Sequence, residues 1–130
     1  MLDISMIQTR GFKNAPDGRG FELRIRSPYY RGLWTDLIDG AAVTVDGERF
    51  DADSIGWTID GRSYTLAELR DSSTERWPID VAAVLTVPRD APLTIGMHDV
   101  SVDVRLRMSY IPVELQPTIS TEQRRLAITR

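Results

Sequence analysis

The 130-residue sequence contains no cysteine, which excludes disulfide bridges, thiolate nucleophiles and cysteine metal sites. Its one histidine, His98, is too few for the several-imidazole metal centre by which small β-barrels usually become enzymes. Lysine is almost missing: Lys13 stands against fifteen arginines. That bias fits genomic base composition, although arginine's planar fork of donors also makes it the better interface cation. With 19 acidic residues against 16 basic ones there is no basic footprint of the kind that attracts a phosphate backbone, so nucleic acid is not an expected partner.

Long hydrophobic runs are missing as well. The longest is "VAAVL", Val81 to Leu85, and the start "MLDISMIQTRGFKNAP" lacks the apolar stretch of a secretory signal, so the expectation is a cytoplasmic protein outside the membrane. No glycine-rich phosphate loop is present, because "DGRG" at Asp17 to Gly20 precedes a strand pattern rather than a helix. No serine sits in a G-x-S-x-G turn, and no pair of carboxylates has the spacing of a glycosidase acid and base.

Period-two alternation is what the sequence does have. In "HDVSVDVRLRMSY" Val100, Val102, Val104, Leu106 and Met108 share one face, while Asp99, Ser101, Asp103, Arg105 and Arg107 share the other. "GFELRIRS" repeats the pattern with Phe21, Leu23 and Ile25 inward and Glu22, Arg24 and Arg26 outward. The charged outer stripe reads either as a self-neutralising solvated face or as an interface.

Two Asp-Gly pairs between extended segments signal tight hairpins. In "AVTVDGERF" a loop at Asp46 and Gly47 sets Val43 opposite Phe50, and in "IGWTIDGRSY" a loop at Asp60 and Gly61 sets Trp57 opposite Tyr64. A further strand is expected over Ile79 to Val87, ended by Pro88. Only "TLAELR" has helical character, with Thr65 as N-cap and Glu68 completing a capping box. Roughly six to eight short strands with little helix predict an all-β fold, an antiparallel β-sandwich of jelly-roll-like kind, over residues 1–112. Residues 113–130 read as a final extended piece and a C-terminal extension or tail.

The candidate site is "SPYYRGLW", Ser27 to Trp34. Pro28 cannot donate to a ladder, so it ends the strand and turns Tyr29, Tyr30, Arg31 and Trp34 off the sheet. Tyrosine, tryptophan and arginine are the residue types enriched at binding hot spots. These rings either close one end of the core or await a partner. His98 has inward parity at the start of the long strand, and either packs at the sheet end or touches a ligand or partner at the rim.

"RSPYYRGLW", a following "DG", "TIDGRSYTLAEL", Trp77 and "GMHDVSVDVRLRMSY", in that order, resemble the β subunit of bacterial C-glycoside deglycosidases over about Phe21 to Tyr110. The resemblance implies a non-catalytic small subunit that assembles with a larger α subunit, a sugar-isomerase-like TIM barrel holding a divalent metal, usually manganese. It implies no cofactor or metal in this chain. The implied substrates are C-glycosides of plant polyphenols already oxidised to the 3-keto form. There a ketone at C3 acidifies the C2 proton, and a metal-stabilised enolate expels the aglycone from C1 by elimination, a carbon–carbon lyase reaction. On this resemblance Tyr29, Tyr30, Arg31, Trp34 and His98 are candidates for the partner interface or the active-site rim, with 3-keto-glycoside near it. The alternative is a free-standing carbohydrate-binding β-sandwich that stacks these rings on sugars, and an independent hydrolase is a third reading.

Overall fold

The structure, a computed structural model, describes residues 6–28, 33–72, 76–107 and 118–129. Its elements are β1 (Lys13–Asn14), β2 (Gly20–Ile25), β3 (Leu33–Trp34), β4 (Ile38–Val45), β5 (Glu48–Phe50), β6 (Gly56–Ile59), β7 (Arg62–Tyr64), α1 (Leu66–Asp71), β8 (Arg76–Trp77), β9 (Ala83–Pro88), β10 (Gly96–Leu106) and β11 (Thr118–Ile128). The strands form a five-stranded sheet in the order β1-β2-β9-β6-β7, a four-stranded sheet β11-β10-β4-β5 and a small ladder β3-β8. All the described pairings are antiparallel, as expected of a sandwich.

The alternation read from sequence becomes the core. Phe21, Leu23 and Ile25 of β2 and Val100, Val102 and Val104 of β10 are fully buried between the sheets, joined by Val43, Leu85 and Val87. Both hairpins have the expected register, Val43 opposite Phe50 and Trp57 opposite Tyr64. Their turns require positive φ at both central residues, and Asp46, Gly47, Asp60 and Gly61 all adopt it.

One side of the sandwich is closed by α1. The Thr65 hydroxyl accepts from the Glu68 amide at 3.2 Å, and Glu68 Oε1 accepts from the Thr65 amide at 2.9 Å, completing the capping box. Leu66 and Leu69 are buried, and Leu66 lies over Gly40 of β4. A side chain at Gly40 would put its Cβ 2.9 Å from that of Ala52, and φ of +142° excludes one there in any case.

The other side is closed by the main chain at Ile7. Its residue pairs with Ile25 in an isolated bridge, extending the β2 edge. From the opposite sheet, Glu122 Oε2 accepts from the Ile7 N–H at 2.7 Å, and Arg124 Nη1 donates to the Ile7 carbonyl at 2.7 Å.

Two expectations change. The final extended piece read within residues 113–130 is the 11-residue β11, Thr118–Ile128, paired with β10 from Gly96–Ile128 through Leu106–Thr118, so strand runs on where a tail was expected. Its polarity hid it: the inward positions Glu122 and Arg124 face a peptide group instead of apolar side chains. The strand expected from Ile79 begins at Ala83, because Pro78 to Val81 make a turn. Trp77 Nε1 donates to the Val81 carbonyl at 2.8 Å and pins that turn. Among the described residues no helix is long and apolar enough to cross a membrane.

Candidate partner-binding surface

The β3-β8 ladder sets Leu33 opposite Trp77 and Trp34 opposite Arg76. Because adjacent residues of a strand point to opposite faces, Trp77 and Trp34 have opposite fates. Trp77 is fully buried, its ring edge-on to Trp57 at 5.7 Å. Trp34 is 45% exposed, and the Arg76 guanidinium lies over its ring 5.0 Å from the centroid. The buried aromatic pair fills this part of the core, so Trp34 is not needed to close it.

Beyond Trp34 a 3₁₀ turn over Thr35–Leu37 leads into β4. The Leu37 carbonyl accepts from the Arg107 N–H at 2.8 Å, fastening the end of β10 beside the turn. Asp39, next on β4, is a shared counterion. Its Oδ1 accepts from Arg107 Nε at 3.1 Å and lies 3.5 Å from Arg70 Nη2, which also donates to the Asp39 carbonyl at 2.6 Å. The carboxylate is 17% exposed, while Arg70 and Arg107 are 47% and 66% exposed. With Asp36 and Ile38 these groups line an open cavity of about 410 Å³.

His98 lies elsewhere. It is near the start of β10, whereas Trp34 precedes Ile38, which pairs with Leu106 at the end of β10. The eight residues from His98 to Leu106 span roughly 26 Å of strand. The structure therefore does not bring His98 to Trp34. Tyr29, Tyr30 and Arg31 lie outside the described residues.

The His98 ring is 6% exposed and packs edge-on to Phe12. Nε2 faces the Thr94 carbonyl at 2.7 Å and Nδ1 faces Asp46 Oδ2 at 2.5 Å. Two acceptors satisfy both nitrogens only when both carry protons, the imidazolium form. Burial, the largest influence, pushes the His98 pKa down, but the Thr94 carbonyl and the Asp46 carboxylate together outweigh it and the net shift is upward. Asp46 is held below the usual carboxylate range by the His98 hydrogen bond, then by the Asp99 N–H, which its Oδ1 accepts at 2.8 Å. The sequence assigned Asp46 to the turn alone. It also ties the β4-β5 hairpin to β10 and, through His98, to the loop before β10.

Among the described residues no three His, Cys, Asp or Glu side chains converge as a cation site. Arg76 and Asp39 escaped the sequence reading; the one signal for Arg76 was its place beside a tryptophan destined for the core.

The described surface thus carries a half-exposed tryptophan with an arginine over its ring, beside a core filled by Trp57 and Trp77. The sequence pattern of the family described as C-glycoside deglycosidase beta subunit matches residues 2–110. The chain belongs to that family. This β subunit is 32% identical over 126 residues to the C-glycoside deglycosidase beta subunit of Eubacterium cellulosolvens, covering 94% of the chain and 86% of the relative. It is 40% identical over 98 residues to one from Arthrobacter globiformis, covering 73% of the chain and 72% of the relative. A 3'-dehydrocarminate deglycosidase beta subunit of a Microbacterium species is 31% identical over 114 residues, covering 86% of each. A β subunit is one component of a complex, and the sandwich described above is that component.

Proposed function

We propose that this chain is the non-catalytic small subunit of a C-glycoside deglycosidase, acting with a TIM-barrel α subunit on 3-keto C-glycosides. The observation that carries the reading is the exposure of Trp34 beside a core already filled by Trp57 and Trp77. The exposed part of the ring forgoes on the order of 1 kcal/mol of burial, which docking onto a partner would recover.

A C–C glycosidic bond offers an acid no leaving oxygen to protonate, so the reaction needs the C3 ketone and removal of the C2 proton, with aglycone loss as a lyase step. Proton removal and the divalent metal, manganese in this reading, belong to the α subunit. This chain contributes the surface around Trp34, with Tyr29, Tyr30 and Arg31 following Pro28, at the partner interface or the rim of the active-site mouth. His98, with both nitrogens bonded internally, acts within the fold. The setting is the cytoplasm.

The test is co-expression with the α subunit followed by size-exclusion chromatography. A single co-eluting hetero-oligomer is expected. Two separate peaks, with the small chain alone retaining glycans, would favour the free-standing carbohydrate-binding module. Trp34 suits that second reading in part, since its ring could stack on a sugar, but Arg76 already occupies one ring face.

A further inference from the structure

The arginines around Trp34 are under-neutralised, and this says what kind of surface covers them. On the outer face of the four-stranded sheet, Arg49 pairs with Asp103 at 3.8 Å and Arg125 with Asp99 at 3.5 Å. Arg105, on the same face, has no carboxylate partner among the described residues. Its cross-strand neighbour on β4 is Gly40, one residue from Asp39, whose carboxylate is already shared by Arg70 and Arg107. Arg76 likewise has only the Trp34 ring among the described residues. Asp36 and Asp71 are exposed nearby, but neither forms an ion pair with these arginines. A chain of net charge −3 thus carries Arg105, Arg107 and Arg70 at the Leu106 end of β10, where the Leu37 carbonyl ties the turn after Trp34 to the Arg107 N–H.

Two apolar side chains flank them. Trp34 stands beside Arg76, and Ile119 of β11, 53% exposed, stands opposite Arg105. Aromatic and aliphatic anchors set among arginines make a surface that desolvates well and gains charge-assisted bonds when carboxylates arrive.

We propose that the surface formed by Trp34, Arg76, Arg70, Arg107, Arg105 and Ile119 is the face that this chain presents to its protein partner, and that the partner is acidic where it meets it. This rests on the β-subunit reading and names the chemistry of that contact. Arg107 and Arg70 keep Asp39 as a common pivot, so each guanidinium has donors left for a second carboxylate. Asp39 anchors both in the free chain, which limits the ordering cost of binding.

The experiment measures the Kd between this chain and the purified α subunit across a series of NaCl concentrations, for wild type, Arg76→Glu, Arg105→Glu and Arg19→Glu. Arg19 is exposed beside Gly20, away from this surface, and serves as control. The expected result is a Kd that rises steadily with salt, weakens about tenfold or more in Arg76→Glu and Arg105→Glu, and is unchanged in Arg19→Glu. Thermal melts report folding, and Gln at either position replaces a variant that fails to fold, with a smaller loss expected. A complex that forms but ignores both salt and charge reversal overturns the acidic contact and leaves the subunit reading standing. Absence of any complex overturns both. A salt-sensitive dimer of this chain alone, lost in Arg76→Glu, would give the surface to a second copy and overturn the proposal.

Discussion

Arg76 and Trp34 face each other across a two-residue antiparallel ladder, with the guanidinium 5.0 Å from the indole centroid, while their neighbours Trp77 and Leu33 form the adjacent rung. One short ladder thus sends one indole into the core and leaves the other at the surface. Trp34→Ala should leave unfolding free energy within about 0.5 kcal/mol of wild type, as for exposed positions generally. Co-elution with the α subunit should be lost or greatly weakened. A Trp34→Ala chain that both folds and co-elutes like wild type would remove the assignment of this ring.

Trp77→Ala should behave oppositely. It removes a fully buried ring, its edge contact to Trp57 and the Nε1 bond to the Val81 carbonyl. The loss should be about 3 to 5 kcal/mol, read by urea unfolding. Little change there would mean that the ring does not fill the core.

The clasp at the other end predicts a pH dependence. His98 has a folded pKa above its ordinary 6.5, so its contribution is complete below that value and is lost as pH rises through the folded one. Asp46 has a folded pKa below its ordinary 3.8, so its contribution is complete above that value and is lost as pH falls through the folded one. The pair therefore supports the fold fully between roughly pH 4 and 6.5. Asp46→Asn keeps a residue that tolerates the positive φ of the turn but removes the charge. The stability gap between wild type and Asp46→Asn should be widest near pH 5 to 6 and should narrow at alkaline pH. Equal gaps at pH 5 and pH 9 would contradict the clasp.

Glu122→Ala should destabilise by about 1 to 3 kcal/mol, because the Ile7 N–H it satisfies is left with no other described partner. Hydrogen exchange of the Ile7 amide should quicken in the same variant. An unchanged exchange rate would show that the amide finds another acceptor.

These residues also show what the sequence could reveal. The Asp-Gly hairpins and the Thr65 capping box were legible because their causes are local: positive φ at two adjacent positions, and a side chain reaching its own helix start. β10 was legible because its alternate apolar positions Val100, Val102, Val104 and Leu106 all enter the core; Met108, read as the next of them, lies outside the described residues. β11 was not, since Glu122 and Arg124 point inward to grip the main chain at Ile7, more than a hundred residues away. The inward parity of His98 was readable, but not its bond to Asp46, a residue already explained by its turn. Arg76 lies on a two-residue strand, too short for any period to show.

The most direct test of the subunit role is turnover of a 3-keto C-glycoside by three samples: this chain alone, the α subunit alone, and the two combined. Release of aglycone is expected at full rate only from the combination, with none from this chain by itself. Aglycone released by this chain alone would contradict a non-catalytic β subunit.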